Sequence, residues 1–397
     1  MYPQKLFSCD IFCTVVDNYG DIGVCWRLAR QLANEHGMTV RLWVDDLASL
    51  HKLCPEIIPA QSIQRHRGVE IRHWGIPFAE VVPAQLVIEA FACELPERYV
   101  LAMAEQMHKP VWLNLEYLSA EDWVAGCHGL PSPHPSLPLV KYFFFPGFTR
   151  DTGGLLLEKD LLARRDAFLG DTVAQEKYWQ GLGVPSRQTD EVRVSLFCYE
   201  NPAVQDLLAV WAAGEQPVTC LVPEGRVLPQ IGEFFGLQQI AAGDVLQYEQ
   251  LRVHVLPFVE QDEYDKLLWA CDCNFVRGED SCIRAQWAGK PFIWHIYPQH
   301  DGVHIKKMRA LLQLYCTGIE QDAAHALHAL WEAWNAADTA SQADFTGLAR
   351  QWNDFMQHQS ILLHHANSWA QQLSANDLAL NLLDFSLKVG RIPPSEI

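Results

Sequence analysis

The sequence predicts an α/β protein built of two doubly wound, Rossmann-like domains facing each other across a cleft. Three observations predict it. The chain has 397 residues, more than a single hydrophobic core usually serves. Short apolar runs alternate with segments of helical periodicity, the order of a parallel sheet with right-handed crossovers. The pattern then starts afresh at Val192, after a stretch from Asp151 to Glu191 that holds Gly153-Gly154, a charged helix-like segment and Gly181 to Pro185.

In order, Leu6 to Val16 is a strand and Asp17 to Gly23 a turn. A helix follows from about Val24 to His36, with Val24, Leu28 and Leu32 on one face and Gly37 as its stop. Thr39 to Val44, Ala84 to Phe91 and Pro110 to Leu115 are further strands, and Lys141 to Thr149 ends the strand-rich part. The second half reads strand Val192–Cys198, helix Pro202–Ala213, strands Val218–Val222 and Val253–Phe258, and helix Gln261–Ala270. Then come the short strand Asn274–Val276, a helix to Ala288, the strand Phe292–Ile296 and a mostly helical tail from about Phe345 to Val389. The domains are expected over 1–180 and 190–375. Residues 376–397 form a C-terminal helix and tail expected to pack back on the first domain.

Composition narrows the function classes. With 49% hydrophobic and 20% charged residues the chain is globular rather than disordered. Its net charge of −18 argues against a phosphate-backbone binder, so no direct nucleic acid partner is expected, though a local site for one diphosphate remains open. The N-terminus lacks the pattern of a secretion signal and no apolar run reaches membrane length, so a cytoplasmic protein with no membrane partner is expected. The 12 cysteines then read as reduced, buried thiols, since neither Cys9 with Cys13 nor Cys271 with Cys273 has CxxC spacing. Most of the 14 tryptophans read as core.

The strongest motif is Arg277-Gly278-Glu279-Asp280-Ser281, where a strand ends and a helix begins at once. Helix N-termini present unsatisfied N–H groups and partial positive charge, and so bind phosphate. Gly278 allows close backbone approach, Arg277 offers a bidentate cation, Ser281 a hydroxyl, and Glu279 an acceptor for sugar hydroxyls. The alternative is that Asp280 and Ser281 only cap the helix. Together with Ala270-Cys271-Asp272, Ala285 and Gly289-Lys290-Pro291, the unit resembles the donor-binding half of GT-B glycosyltransferases.

The loop Asp17 to Gly23 follows the first strand, where open α/β sheets place ligands. G-x-G-x-x-G is absent, so it is not a dinucleotide fingerprint. Asp17 and Asp21 could aim two carboxylates into a cleft for general-base work or for gripping a cation. They could equally be a turn residue and a helix cap. Phe197, Tyr199 and Phe258 end strands of the second half and suit a nucleobase, with Gln261 reading its edge, although core packing explains single aromatics as well. Tyr297 could reach a diphosphate or be structural. His295, His300 and His304 match no metal spacing and read as supporting or surface groups. No Asp-x-Asp element is evident at a strand end, so metal-dependent transfer is disfavoured.

Val15 to Val24, Phe145-Pro146-Gly147-Phe148-Thr149, Ser195-Leu196-Phe197-Cys198-Tyr199-Glu200-Asn201 and Arg277 to Ser281 together resemble one family. It is the EarP family of bacterial protein-arginine rhamnosyltransferases, which modify translation elongation factor P. The resemblance spans nearly the whole chain in the family's order. It implies a GT-B fold, the donor substrate dTDP-β-L-rhamnose, no cofactor or metal, and inverting transfer to an arginine on the N-terminal domain of elongation factor P. It further implies that Asp21 is the base and that Asp17 positions the acceptor. Phe197, Phe258 and Gln261 would hold thymine. Tyr199, Arg277, Glu279, Asp280, Ser281 and Tyr297 would contact ribose or diphosphate, and Tyr19 and Gly20 would lie against the donor. Two other readings stay open: a GT-B transferase with a small-molecule or glycan acceptor, and a non-catalytic glycosyltransferase-like binding module.

Overall fold

The computed structural model describes residues 8–16, 19–299, 302–336 and 347–390. Asp17 and His300 therefore lie outside the described residues. The chain forms two compact units, one of residues 1–159 and 373–397, the other of 160–372.

The first unit contains β1 (Ser8–Cys13), α1 (Gly20–Asn34), β2 (Thr39–Val44), α2 (Leu47–Leu53), β3 (Ile63–His66), β4 (Val69–His73), β5 (Leu86–Ala90), α3 (Glu97–Glu105), β6 (Val111–Leu115), α4 (Trp123–Cys127), β7 (Pro131–Pro133) and β8 (Val140–Phe144). The sheet order is β3-β4-β2-β1-β5-β6-β8-β7. Only β3 and β7 run antiparallel to their neighbours, and both are edges. The chain winds one way from β1 to β2 and the other way from β5 to β6. The reversal falls between β1 and β5, and sheets of this kind bind ligands at the carboxyl ends of the strands where the winding reverses.

β1 shows why sequence pattern alone is incomplete. Asp10 is fully buried in the middle of this strand. It takes two bonds of 2.5 Å from Arg41, one of 3.2 Å from the Trp43 indole, one of 3.0 Å from Ala84 N, and a further hydrogen bond from the Tyr99 hydroxyl. A buried carboxylate is tolerable only when so fully bonded. Around it Phe12, Trp43, Tyr99 and Trp112 form an aromatic core.

The expected helix start at Val24 is corrected: α1 begins at Gly20. Gly23 N donates to Tyr19 O at 2.9 Å, and the Asp21 carboxylate accepts from Val16 N at 2.9 Å, so Asp21 in the first turn is tied back to the chain that leaves β1. Gly37 does lie just beyond the helix at φ +66°, a left-handed position that glycine takes without strain.

The second unit contains α5 (Leu161–Gly170), α6 (Thr172–Gly181), β9 (Val192–Leu196), α7 (Ala203–Ala213), β10 (Val218–Pro223), α8 (Leu228–Phe234), β11 (Val245–Tyr248), β12 (Leu251–Leu256), α9 (Gln261–Ala270), β13 (Cys273–Arg277), α10 (Asp280–Ala288), β14 (Phe292–His295), α11 (Val303–Tyr315), α12 (Gln321–Ala336), α13 (Leu348–Gln357) and α14 (Gln359–Leu373). Its sheet order is β11-β12-β10-β9-β13-β14, with β11 alone antiparallel. Here the reversal falls between β9 and β13.

The first unit ends at Lys159 rather than at 180. The physical reason is packing: Arg165 of α5 donates to Trp287 O at 2.8 Å, and Phe168 and Tyr178 pack with Trp179, Leu267 and Cys271. Residues from α15 (Leu378–Val389) belong to the first unit. Phe385 lies against the rings of His128, Tyr142 and Phe144, and Gln31 Nε2 donates to Asp377 at 3.2 Å. All tryptophans but Trp74 and Trp123 are buried. Among the described residues no helix is long and apolar enough to cross a membrane.

Candidate functional site

In the second unit, the residues at the carboxyl ends of β9 and β13 come together where the winding reverses. Arg277 closes β13 and is only 6% exposed. Its guanidinium carbon stands 4.4 Å from the Phe197 ring centre and 4.8 Å from that of Tyr199. Phe197 and Tyr199 follow the end of β9 two residues apart, and both rings reach this guanidinium. The Arg277 Nη1 is buried with no hydrogen-bond partner. A buried unsatisfied donor costs about 1–3 kcal/mol, so it points to a group that the free protein does not supply.

The turn itself is firmly held. Gly278 is at φ +60°, and its carbonyl accepts the Trp294 indole N–H at 2.7 Å. Ser281 Oγ accepts Arg277 N–H at 3.0 Å and donates its own proton to Arg277 O. Its hydroxyl therefore ties the turn and is not a helix cap. The N-cap of α10 is Glu279, with no side-chain cap bond, and Asp280 is the first helical residue. The capping alternative thus describes neither Asp280 nor Ser281. Asp280 instead accepts from Gln261 Nε2 at 3.2 Å, and Gln261 is buried at the start of α9. Under the turn, Arg284 and Asp265 form a buried ion pair of 2.6 and 2.9 Å that locks α10 to α9. Gly289 ends α10 at φ +62°, and a Cβ there would meet Asn367 Oδ1 at 2.7 Å.

Tyr199 also touches the rings of His295 (5.3 Å) and Tyr297 (5.4 Å) edge-on, and Tyr297 is 42% exposed. Phe258 is half-buried beyond β12, where its N–H donates to Glu224 Oε2 at 3.4 Å. His304 accepts from Gln299 N at 3.1 Å. Sequence reasoning missed Lys307 of α11, whose Nζ lies 3.2 Å from Glu279 Oε1. No local motif signals it, because the pair joins residues 28 apart.

In the first unit, Asp21 is buried in the first turn of α1, and Tyr19 and Gly20 are half-buried beside it. Tyr19 is the N-cap and makes no side-chain cap bond. Val15 N is fixed to Asp45 Oδ1 at 2.9 Å. The neighbouring strand ends carry a second feature that the sequence did not reveal. Phe91, Ala92 and Glu94 all hold left-handed backbone (φ +57°, +53° and +51°) after β5. Such residues cost about 1–3 kcal/mol each and persist only where the surrounding structure holds them. Phe91 stacks on the exposed ring of Tyr117, 4.5 Å away at 20°, beyond β6.

Among the described residues, one trio has metal-ligating atoms within reach of one another, Cys54, Glu56 and His66. Arg67 Nε stands 3.2 Å from His66 Nε2, so a cation already occupies that side.

The chain matches the model of the elongation-factor P (EF-P) rhamnosyltransferase EarP family over residues 9–387. A protein-arginine rhamnosyltransferase of Pseudomonas putida is 51% identical, covering 95% of this chain and 97% of the relative. One of Pseudomonas aeruginosa is 50% identical over 95% and 98%. The solved structure that describes EarP-mediated arginine glycosylation of translation elongation factor EF-P superposes with a TM-score of 0.67 at 38% identity, over 95% of this chain and 98% of that one. A glycosyltransferase of Rickettsia africae shares the fold at a TM-score of 0.51 and 11% identity, over 98% of both chains. The chain belongs to the EF-P rhamnosyltransferase EarP family and is a glycosyltransferase of the GT-B fold.

Proposed function

We propose that this enzyme transfers L-rhamnose from dTDP-β-L-rhamnose to an arginine side chain on the N-terminal domain of elongation factor P, inverting the anomeric carbon. The observation that carries the donor half is the Arg277 guanidinium, buried between two rings with an unpartnered N–H. A diphosphate oxygen would satisfy it, and the positive end of the α10 helix dipole would share the charge. Phe197, Phe258 and Gln261 hold the thymine in this reading. Tyr199, Glu279, Asp280, the Ser281 amide and Tyr297 meet ribose and diphosphate, and Tyr19 and Gly20 meet the donor at the α1 N-terminus. The relatives' names support the sugar and the acceptor. An acceptor that serves translation also implies a cytoplasmic site of action.

The chemistry follows from charge. An arginine guanidinium holds its proton far above neutral pH and is a poor nucleophile while charged. Asp21, with Asp17 beside it in sequence, localises that charge and takes one proton as the new C–N bond forms at the anomeric carbon. The bond from that carbon to the phosphate oxygen breaks, and its electron pair leaves with dTDP, where Arg277 and the α10 amides stabilise it. One displacement needs one base and no enzyme nucleophile. The stacked Phe91–Tyr117 pair gives the guanidinium a flat face, which such groups favour.

The test is incubation with dTDP-β-L-rhamnose and elongation factor P, read by intact mass. The expected result is one added deoxyhexosyl residue, absent when the acceptor arginine is replaced. An unmodified acceptor under conditions where the enzyme binds dTDP would sink the proposal.

A further inference from the structure

We propose that Lys307 is a positioning residue for the donor, acting through Glu279. It neutralises that carboxylate so that Glu279 can stand in a diphosphate site and accept from the sugar side without repelling the phosphates. The proposal rests on the nucleotide-sugar reading above. A site for a doubly charged ligand should be cationic, yet this turn places two carboxylates, Glu279 and Asp280, next to Arg277. Asp280 takes the Gln261 amide. Glu279 takes Lys307, whose ammonium lies 3.2 Å from Oε1 with side-chain exposures of only 23% and 14%. An ion pair so withdrawn from water is weakly screened, and a carboxylate stripped of its partner there would act on nearby phosphates at reduced dielectric.

The backbone makes this role specific. The turn is pinned on three sides, by Trp294 on the Gly278 carbonyl and by Ser281 Oγ on both the N–H and the carbonyl of Arg277. None of these ties involves Lys307, so its replacement leaves them in place and removes the positive charge beside Glu279. Lys307 itself sits one turn into α11, behind Gly302 at φ +70°, so its helix rather than the turn sets its position.

The test is a double-mutant cycle on the full chain, with dTDP and thymidine as probes by calorimetry. Lys307→Met and Lys307→Gln are expected to weaken dTDP by on the order of tenfold while leaving thymidine, which has no phosphate, unchanged. Lys307→Arg should restore most of the loss. In a Glu279→Gln background the same Lys307→Met change should alter dTDP affinity by less than about twofold. An equal loss in both backgrounds would mean that Lys307 touches phosphate itself and would overturn the proposal. So would an equal loss for thymidine, which marks a damaged pocket, or unchanged dTDP binding. If the wild-type protein bound neither probe, the nucleotide-donor reading would fall and this inference with it. If it bound dTDP and the variants matched it, this inference alone would fall.

Discussion

Replacing Arg277 with Met separates a ligand-binding arginine from a structural one, because the two roles push stability and affinity in different directions. In the free protein the change removes the packing of the guanidinium on Phe197 and Tyr199, worth about 1–2 kcal/mol at a desolvated site. It also removes the buried, unpartnered Nη1, whose cost is about 1–3 kcal/mol. The two nearly cancel, so the unliganded variant should unfold in urea within about 1 kcal/mol of the wild type. Binding behaves otherwise. One contact from Nη1 to phosphate, at about 1.5–3 kcal/mol for a charged hydrogen bond, predicts roughly 10- to 100-fold weaker dTDP at about 1.4 kcal/mol per tenfold. The assay is calorimetric titration with dTDP, paired with urea denaturation with and without the nucleotide. A variant that loses more than about 3 kcal/mol of unliganded stability yet binds dTDP as before would show that Arg277 is a core residue, and the argument would fail.

Further outcomes follow from other residues. Asp21→Asn keeps an acceptor for Val16 N and should fold and bind dTDP normally, while single-turnover transfer falls at least about 100-fold; an unchanged rate removes Asp21 as base. Tyr117→Ala takes away the exposed member of the stacked pair. It should raise KM for elongation factor P several-fold with dTDP affinity unchanged, and steady-state kinetics with each substrate varied would reveal the opposite. Arg284→Met leaves Asp265 buried without its guanidinium and should cost about 3–5 kcal/mol by urea denaturation. Burial holds the His128 and His365 imidazoles below their ordinary 6.5. Both then contribute stability that is present above that value and is lost as pH falls below it, since the unfolded chain binds protons first. The urea midpoint should drop from pH 7 to about 5.5, and drop less in His128→Asn.

Much of this architecture was legible in the sequence. β2 and α9 coincide with the spans expected from pattern, because β2 is bounded by Gly37-Met38 and Asp45-Asp46, and α9 carries Tyr264, Leu267, Leu268 and Cys271 at helical spacing. The start of α1 was not legible. Two glycines suggest a loop, whereas Gly20 to Gly23 form the first helical turn, with the Val16 N–H donating to the Asp21 carboxylate. Arg277 was visible as a charged residue at a strand end, but its place between two rings depends on β13 lying beside β9, a non-local pairing. Lys307 and the Phe91–Tyr117 pair were invisible for the same reason, since each is made by separate elements meeting. The connection between the domains reads from sequence as lying within Asp151 to Glu191, and only the packing of α5 and α6 on α9 and α10 assigns those helices to the second unit.

The return of α15 to the first unit has a consequence for how the protein is made. The chain leaves the first unit at Lys159 and re-enters it only at Leu373. On the ribosome, the contacts of Asp377 with Gln31 and of Phe385 with His128, Tyr142 and Phe144 join the latest part of this unit to its earliest. The whole of the second unit is therefore made before the first unit receives its last packing partners.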